Sequence, residues 1–420
     1  MKKLVCLLLL VCGTSFSQTI TFSDVNLKNK LIQLNLDTNT NGNIEVSEVQ
    51  GVTTLDISYS NITSLSGLES FGLLYSLDCS HNNITTIDVT GLSKLTMLDC
   101  SYNELTNLDV TPMTKIEYLY TRYNQLQNLN VAGVSTLKLL VCDNNQLQQL
   151  NVSDLTNLEL LDIANNLLPN IDLTKNTKID TLYASFNKFT NLDVRNLTSL
   201  TVLWLNYNEN TNAINFIDLR FNTKLKELFF NGWCQNNCTG SDQLYSLEIS
   251  GLKEIETLYI RNNKISYLDL SGLPKLKSLS CENNSLTELN IKNGTDELYL
   301  NFNNNPLTTL CCDDTQINPI QNMVTNNGQS CSVNSNCVSL SLPSNTCIDN
   351  TINVLPNPVN SSLKVITNND IKTIELMDVQ GRTIITKNDN TLDMSGYNNG
   401  YYFLKVSTNV GVKIKEIIKK

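Results

Sequence analysis

A repeat constrains this chain more than any other feature of its sequence. From Val52 to Leu310 the sequence keeps returning to L-x-Φ-x-x-N-x-Φ, where Φ is apolar. Examples are Leu77-Asp78-Cys79-Ser80-His81-Asn82-Asn83-Ile84 and Leu98-Asp99-Cys100-Ser101-Tyr102-Asn103-Glu104-Leu105. The Asn recurs as Asn82, Asn103, Asn124, Asn145, Asn166, Asn187 and Asn208, a strict 21-residue step, and resumes as Asn263, Asn284 and Asn305. Ser60 takes the slot in the first unit, and about twelve units fit the interval. The gap between Asn208 and Asn263 reads as two units with insertions of four and nine residues, the second placing Trp233 in the Asn slot. A fixed period of this length means units that cannot bury their apolar face alone and must stack on their neighbours.

The period and the Asn slot resemble the leucine-rich-repeat family, in particular secreted, internalin-like bacterial solenoids of the Bacteroidetes type. The resemblance implies a mainly β fold in which each unit gives one short strand to a parallel sheet lining a concave face, over a continuous apolar core. Asn side chains buried where the chain leaves the strand would form a stacked hydrogen-bonding row. A second motif, Ile87-Asp88-Val89 and Leu108-Asp109-Val110 through Leu289-Asn290-Ile291, alternates apolar and polar residues and is expected to form another short extended segment on the opposite side.

Export is expected from the N-terminus. Lys2 and Lys3 precede an apolar run from Leu4 to Val11 and then Gly13-Thr14-Ser15-Phe16-Ser17, with cleavage after Ser17. The run is far short of the roughly 20 apolar residues that span a bilayer. Val11 stands where a lipoprotein signal needs a small residue, so Cys12 reads as part of the signal. With 41% hydrophobic and 17% charged residues in 420, the chain can build two or three folded units. The net charge of -10 opposes a nucleic-acid partner, whose phosphates are held by Lys and Arg, and also disfavours anionic membrane surfaces.

Before the repeats, Asp37-Thr38-Asn39-Thr40-Asn41-Gly42-Asn43-Ile44-Glu45-Val46-Ser47-Glu48 follows the calcium-loop pattern D-x-[DN]-x-[DN]-G-x5-E. Asp37, Asn39, Asn41, the Asn43 carbonyl and Glu48 would be ligands, with Glu45 acting directly or through water. The same Asn/Gly-rich run also suits a metal-free turn. In either case the segment is expected to cap the first repeat.

Of thirteen cysteines, Cys6 and Cys12 lie in the signal. Cys79, Cys100, Cys142 and Cys281 share one apolar repeat slot and read as free core thiols. Cys234, Cys238, Cys311, Cys312, Cys331, Cys337 and Cys347 fall outside it, in a chain bound for an oxidising compartment. Cys234 and Cys238 are expected to close a short loop. Cys311 and Cys312 with Cys331 and Cys337 resemble the disulfide-closed C-terminal cap of secreted solenoids, in a connectivity the sequence leaves open.

From about Cys347 the repeat stops. Asn353-Val354-Leu355-Pro356-Asn357-Pro358, then Gly381 after the strand Ile374 to Val379, then Gly400-Tyr401-Tyr402-Phe403 and the closing Lys413, Lys415, Lys419 and Lys420 indicate a small antiparallel β-sandwich. The order strongly resembles the C-terminal sorting domain of type IX secretion. That resemblance implies engagement of the type IX machinery, passage through the periplasm to the outer cell surface, and removal of the tail with anchoring or release. The expected organisation is signal peptide 1–17, N-terminal cap 18–51, solenoid 52–310, Cys-containing cap and linker 311–347, and sorting domain 348–420.

Chemistry is sparse. His81, the single histidine, leaves any nucleophile system one possible base, and it reads as a solvated strand-edge residue. No phosphate-binding or dinucleotide fingerprint is present, so a non-enzymatic surface protein is expected. The residue after the first strand Leu reads Asp56, Asp78, Asp99, Tyr120, Val141, Asp162, Tyr183, Trp204, Phe229, Tyr259, Ser280 and Asn301, acidic at the start and aromatic in the middle. Tyr118, Tyr123, Phe186 and Tyr207 add to it from neighbouring slots. Exposed aromatics are preferred interface anchors. The candidate ligand-binding residues are Asp78, Asp99, Tyr120, Tyr183, Trp204, Tyr207, Phe229 and Tyr259. Their partner would be a protein, in adhesion or interaction, or alternatively a polysaccharide stacked on the rings.

Overall fold

The computed structural model describes residues 18–208, 214, 217–232, 244, 247, 249, 251–336, 352–367, 370–378, 381–408 and 412–420. The expected signal peptide, Trp233, Cys234, Cys238, Cys337 and Cys347 lie outside them. The chain divides into two compact units, Met1–Ile163 and Ala164–Lys420, a split that falls inside the repeat array.

In the first unit, six three-residue strands lie parallel and in register: Thr54–Asp56, Ser76–Asp78, Met97–Asp99, Tyr118–Tyr120, Leu139–Val141 and Leu160–Asp162. Six more line the second unit in the same way: Thr181–Tyr183, Val202–Trp204, Glu227–Phe229, Thr257–Tyr259, Ser278–Ser280 and Tyr299–Asn301. The fold is thus a mainly β leucine-rich-repeat solenoid of twelve turns. Trp204 pairs with Phe229, and Phe229 with Tyr259, so both insertions are absorbed outside the sheet.

Alternation explains the strands. The central Leu of each strand is buried in nearly every turn, while its two neighbours are exposed or half-buried except at Val141 and Ser280. Each such Leu contributes about 1.5–3 kcal/mol. The turn that follows is held by the slot Asn. Asn103 donates to the carbonyls of Cys79 (3.0 Å) and Cys100 (3.1 Å), and its Oδ1 accepts the N–H of Ile84 (2.9 Å). One side chain therefore ties two successive turns together and satisfies backbone groups that water cannot reach. Asn82, Asn145, Asn263, Asn284 and Asn305 repeat the arrangement. The cysteine slot does related work. Cys79 and Cys100 donate Sγ–H to the next turn's carbonyl, and Thr121, in the same slot, donates Oγ1–H at 3.4 Å. Cys79, Cys100, Cys142 and Cys281 form no disulfide and are fully buried, and burial pushes their thiols well up.

The second motif pairs less continuously than expected. In the first unit Asn107–Asp109 pairs with Asn128–Asn130. In the second, Tyr267–Asp269, Glu288–Asn290, Thr309–Cys311 and Ser332–Asn334 form a four-stranded parallel sheet. Elsewhere among the described residues the motif forms no strand.

Both ends of the array are covered. Helix Val25–Gln33 starts at Asp24, whose Oδ1 accepts the N–H groups of Asn26 and Leu27, while its Oδ2 accepts the N–H of Thr63 in the first repeat at 2.6 Å. Leu27, Leu31, Ile44 and Val49 are fully buried beneath this cap. Gly67 is required here: its φ is +106°, and a Cβ would sit 2.5 Å from the Phe22 ring. At the other end helix Ile317–Asn326 buries Ile320 and Val324. Gln316 at its start donates to Glu297 (2.8 Å).

The cysteine cap differs from expectation. Cys311 is disulfide-bonded, but Cys312 and Cys331 carry free thiols. The reason lies in the repeat: Leu310-Cys311-Cys312 aligns with Leu289-Asn290-Ile291, so Cys312 fills the core position of Ile291 and is fully buried. Burial pushes its thiol up to about 11.

Residues 352–420 form two antiparallel sheets. One has three strands, Asn353–Leu355, Ser362–Ile366 and Thr391–Asp393, and the other four, Ile371–Met377, Thr383–Lys387, Gly400–Thr408 and Val412–Lys419. Val354, Leu363, Val365, Leu376, Leu404 and Ile417 lie among the residues of their shared core.

Candidate functional site

The outward face of the strand row carries two chemically distinct stretches, one in each unit. In the second unit, register stacks Tyr183, Trp204, Phe229 and Tyr259 one above another. Their ring centroids are 4.8, 4.9 and 4.8 Å apart with interplanar angles of 64°, 46° and 60°, and Tyr299, from the neighbouring column two strands on, lies 6.0 Å from Tyr259. Tyr183 and Trp204 pack edge against face, a favoured aromatic geometry, the other pairs are tilted, and each ring is half-buried. The sequence led us to expect freely exposed rings; close packing within the row reduces their exposure. Trp204 Nε1 is buried and finds no acceptor among the described residues. Beside the row, Phe186 and Tyr207 pack at 4.9 Å, and the Tyr207 hydroxyl accepts from Arg261 at 3.1 Å.

In the first unit the same column reads Asp56, Asp78, Asp99 and Tyr120 in strict register. Each aspartate accepts the N–H of the serine two residues on: Ser58, Ser80 and Ser101. Burial, with the neighbouring charge of Asp78 adding to it, holds the Asp99 carboxyl above its ordinary value despite the serine hydrogen bonds. The folded chain thus binds this proton more tightly than the unfolded chain. The associated stability is present at low pH and lost as pH rises from the ordinary carboxylate value through the raised one. Ionised Asp99 is a cost at neutral pH, so Asp99→Asn is expected to raise the melting temperature at pH 7 and to leave it nearly unchanged at pH 3. Thermal melts at the two pH values check this, and an unaltered melting temperature at pH 7 would contradict it.

His81 is not the solvated edge residue expected. Its ring lies between Tyr59 (4.0 Å) and Tyr102 (4.1 Å), and Tyr123 continues the stack at 4.4 Å, all within 13° of parallel. These residues occupy the position before the slot Asn. The signal was present in the sequence as an aromatic or His at that position in four consecutive turns.

In the N-terminal loop the residues of the expected calcium pattern are tied to one another by hydrogen bonds. Asp37 accepts N–H groups of Asn41 (3.1 Å) and Gly42 (2.8 Å), and Glu45 accepts the side-chain amides of Asn39 (3.0 Å) and Asn41 (2.8 Å). Asn43 Oδ1 accepts from Lys28. Glu48 accepts N–H groups of Thr38 (2.7 Å) and Glu45 (2.9 Å). Against the opposing effect of desolvation, its bonds from Glu45 and Thr38 lower its carboxyl to about 2. Thr40 and Gly42 adopt positive φ, +56° and +81°, giving the sharp turn. No three Asp, Glu, His or Cys side chains among the described residues cluster as a metal site by themselves. Any ion here would lean on the Asn carbonyl oxygens.

With the geometry in place, comparison with known proteins assigns the tail. Residues 353–420 match the family described as "Secretion system C-terminal sorting domain". The tail is a secretion sorting domain. Export by type IX secretion to the cell surface or the extracellular space follows from it. No curated protein matches the chain in sequence. Among solved structures, a leucine-rich-repeat protein of Leptospira interrogans superposes with TM-score 0.53 at 23% identity, covering 63% of this chain and 73% of that one. An internalin of Listeria monocytogenes, InlF, gives TM-score 0.52 at 21% identity over 70% of this chain and 94% of that one. The functional domain of InlJ from the same organism gives 0.48 at 22% identity, over 90% and 93%. The first two share the internalin-like leucine-rich-repeat fold with this chain.

Proposed function

We propose that the exported chain is a surface-binding protein, without catalysis, whose strand face holds a protein partner. The aromatic row Tyr183–Trp204–Phe229–Tyr259, with Tyr207 beside it, is the principal contact, and Asp78, Asp99 and Tyr120 form a second. The observation that carries the reading is the unbroken row of large rings on a solvent-facing column. The neighbouring column on the same strands is mixed, with Thr181, Val202, Glu227, Thr257 and Ser278. Aromatic side chains give much contact area for little conformational entropy, which is why they dominate binding hot spots. The unpaired Trp204 Nε1 is a cost that the fold alone does not offset. Angles of 46° to 64° between successive rings favour an irregular protein surface over a flat sugar-stacking platform.

The full chain and its Trp204→Ala/Tyr183→Ala variant, immobilised side by side, test this against surface proteins of neighbouring cells and against a glycan array. Loss of at least 2 kcal/mol in affinity for a protein partner, on the order expected for a hot-spot pair, supports the reading. Binding of glycans alone, lost with the same rings, would replace the protein partner by a polysaccharide, and unchanged capture would sink the site.

We further propose that the loop from Asp37 to Glu48 takes calcium with low affinity, through Asp37, Asn39, Asn41, Asn43, Glu45 and Glu48. Three carboxylates among six residues give a modest charge count, suited to millimolar extracellular calcium. Calcium at millimolar concentration is expected to raise the unfolding temperature of the wild-type chain, and magnesium to do so less. Glu48→Gln should abolish the calcium effect. Equal melting curves with calcium and with chelator would refute the site.

A further inference from the structure

The stack of Tyr59, His81, Tyr102 and Tyr123 is expensive. All four have backbone φ between 50° and 55°, the left-handed region that bulky side chains avoid. Phe186 and Tyr207 place rings at the same position in two later turns, while the remaining turns have Asn144, Asn165, Asn262, Asn283 or Asn304 there, a residue whose short polar side chain tolerates this conformation. Burial does not explain the substitution of rings for amides: Tyr59 is 74% exposed and Tyr123 42%. Local strain that the core does not require concentrates at functional positions.

The ladder borders the acidic column on the same turns. Asp99 and His81 lie on adjacent turns. Parallel register sets successive carboxylates Asp56, Asp78 and Asp99 about 4.8 Å apart along the column, and like charges directly opposite repel. Lys30 moderates Asp56 from the N-terminal cap. Asp78 and Asp99 make no ion pair among the described residues, and Arg122, at the far end of the ladder, is already held by Asp143 at 3.2 Å.

We propose that this strip docks a basic, extended polypeptide segment, with Lys and Arg stems lying along the ring edges of the Tyr59–Tyr123 ladder and their charges meeting Asp78 and Asp99. Charge complementarity selects the partner, because Asp78 and Asp99 offer carboxylates without an ion-paired cation and the ladder offers an apolar wall for methylene stems. The inference deepens the surface-binding reading by naming the chemistry that the acidic stretch recognises. It does not depend on the aromatic row of the second unit.

The test uses the full chain and a fluorescent deca-arginine peptide, with a deca-glutamate peptide as its opposite. Deca-arginine should bind and deca-glutamate should not, with affinity falling about tenfold or more between low and near-molar salt. Asp78→Asn/Asp99→Asn should weaken the arginine peptide about tenfold or more, as should Tyr59→Ala/Tyr102→Ala. Trp204→Ala/Tyr183→Ala should leave it unaltered, so that the two surfaces can fail separately. A Glu254→Gln/Glu256→Gln variant removes the same charge elsewhere and should bind like the wild type. Equal weakening by that control would reduce the effect to net charge and overturn the proposal. So would an undiminished affinity of Asp78→Asn/Asp99→Asn, or salt-independent binding by the wild type, which needs no variant.

Discussion

Replacing Asn145 with Ala is expected to destabilise the chain by about 3 kcal/mol or more, among the largest effects available to a single substitution outside the apolar core. The Asn145 amide donates to the carbonyls of Thr121 (3.0 Å) and Cys142 (3.1 Å), and its Oδ1 accepts the N–H of Leu126 (2.9 Å). Truncation leaves buried backbone groups on two turns without partners, each costing about 1–3 kcal/mol. The loss also falls on an interface between turns. In a solenoid stability is a sum of units and nearest-neighbour contacts, so a weakened interface loosens the coupling along the stack. Urea unfolding should therefore show both a lower midpoint and a broader or divided transition. Asn130→Ala, at an exposed position in the second row, is the control and should change stability by no more than about 0.5 kcal/mol. Equal, small effects at the two positions would contradict the structural role of the Asn row.

Deleting residues 353–420 should abolish surface display while leaving the repeats folded. The tail has its own apolar core around Leu363, Leu376 and Leu404, so its removal takes away a self-contained folding unit. The secreted and surface-labelled fraction of the truncated chain should fall to background, with the protein retained inside the outer membrane. Protease shaving of intact cells with immunoblotting measures this. Undiminished shaving of the truncated protein would mean that the sorting domain is dispensable for export.

Much of the fold is legible because a strict period repeats one physical solution. The 21-residue step located each strand, and the Asn slot located each turn. Even the insertions of four and nine residues, read from the Asn spacing, agree with the register that pairs Trp204 with Phe229 and Phe229 with Tyr259. Two readings failed for identifiable reasons. Cys312 was grouped with loop cysteines although it continues the core slot of Ile291; the repeat runs one strand further than the Asn pattern does, to Ser332–Asn334. His81 was read as a solvated edge residue because a lone polar side chain beside a turn usually is one. Its position matters only in three dimensions, where left-handed backbone at Tyr59, His81, Tyr102 and Tyr123 aligns four rings face to face. The aromatic row was visible as a column, but its half-buried packing of tilted rings depends on ring orientations that a column of letters does not contain. Partner identity is less legible still, since a binding face records shape and charge and no reacting group.

Hydroxyl-radical footprinting of the full chain, alone and saturated with its captured partner, tests the central claim most directly. Tyr183, Trp204, Phe229 and Tyr259 should become protected, while Tyr267, 47% exposed on the second strand row of the same unit, should react as before. Protection of Tyr267 with unchanged reactivity of the aromatic row would contradict the assignment of the strand face as the binding surface.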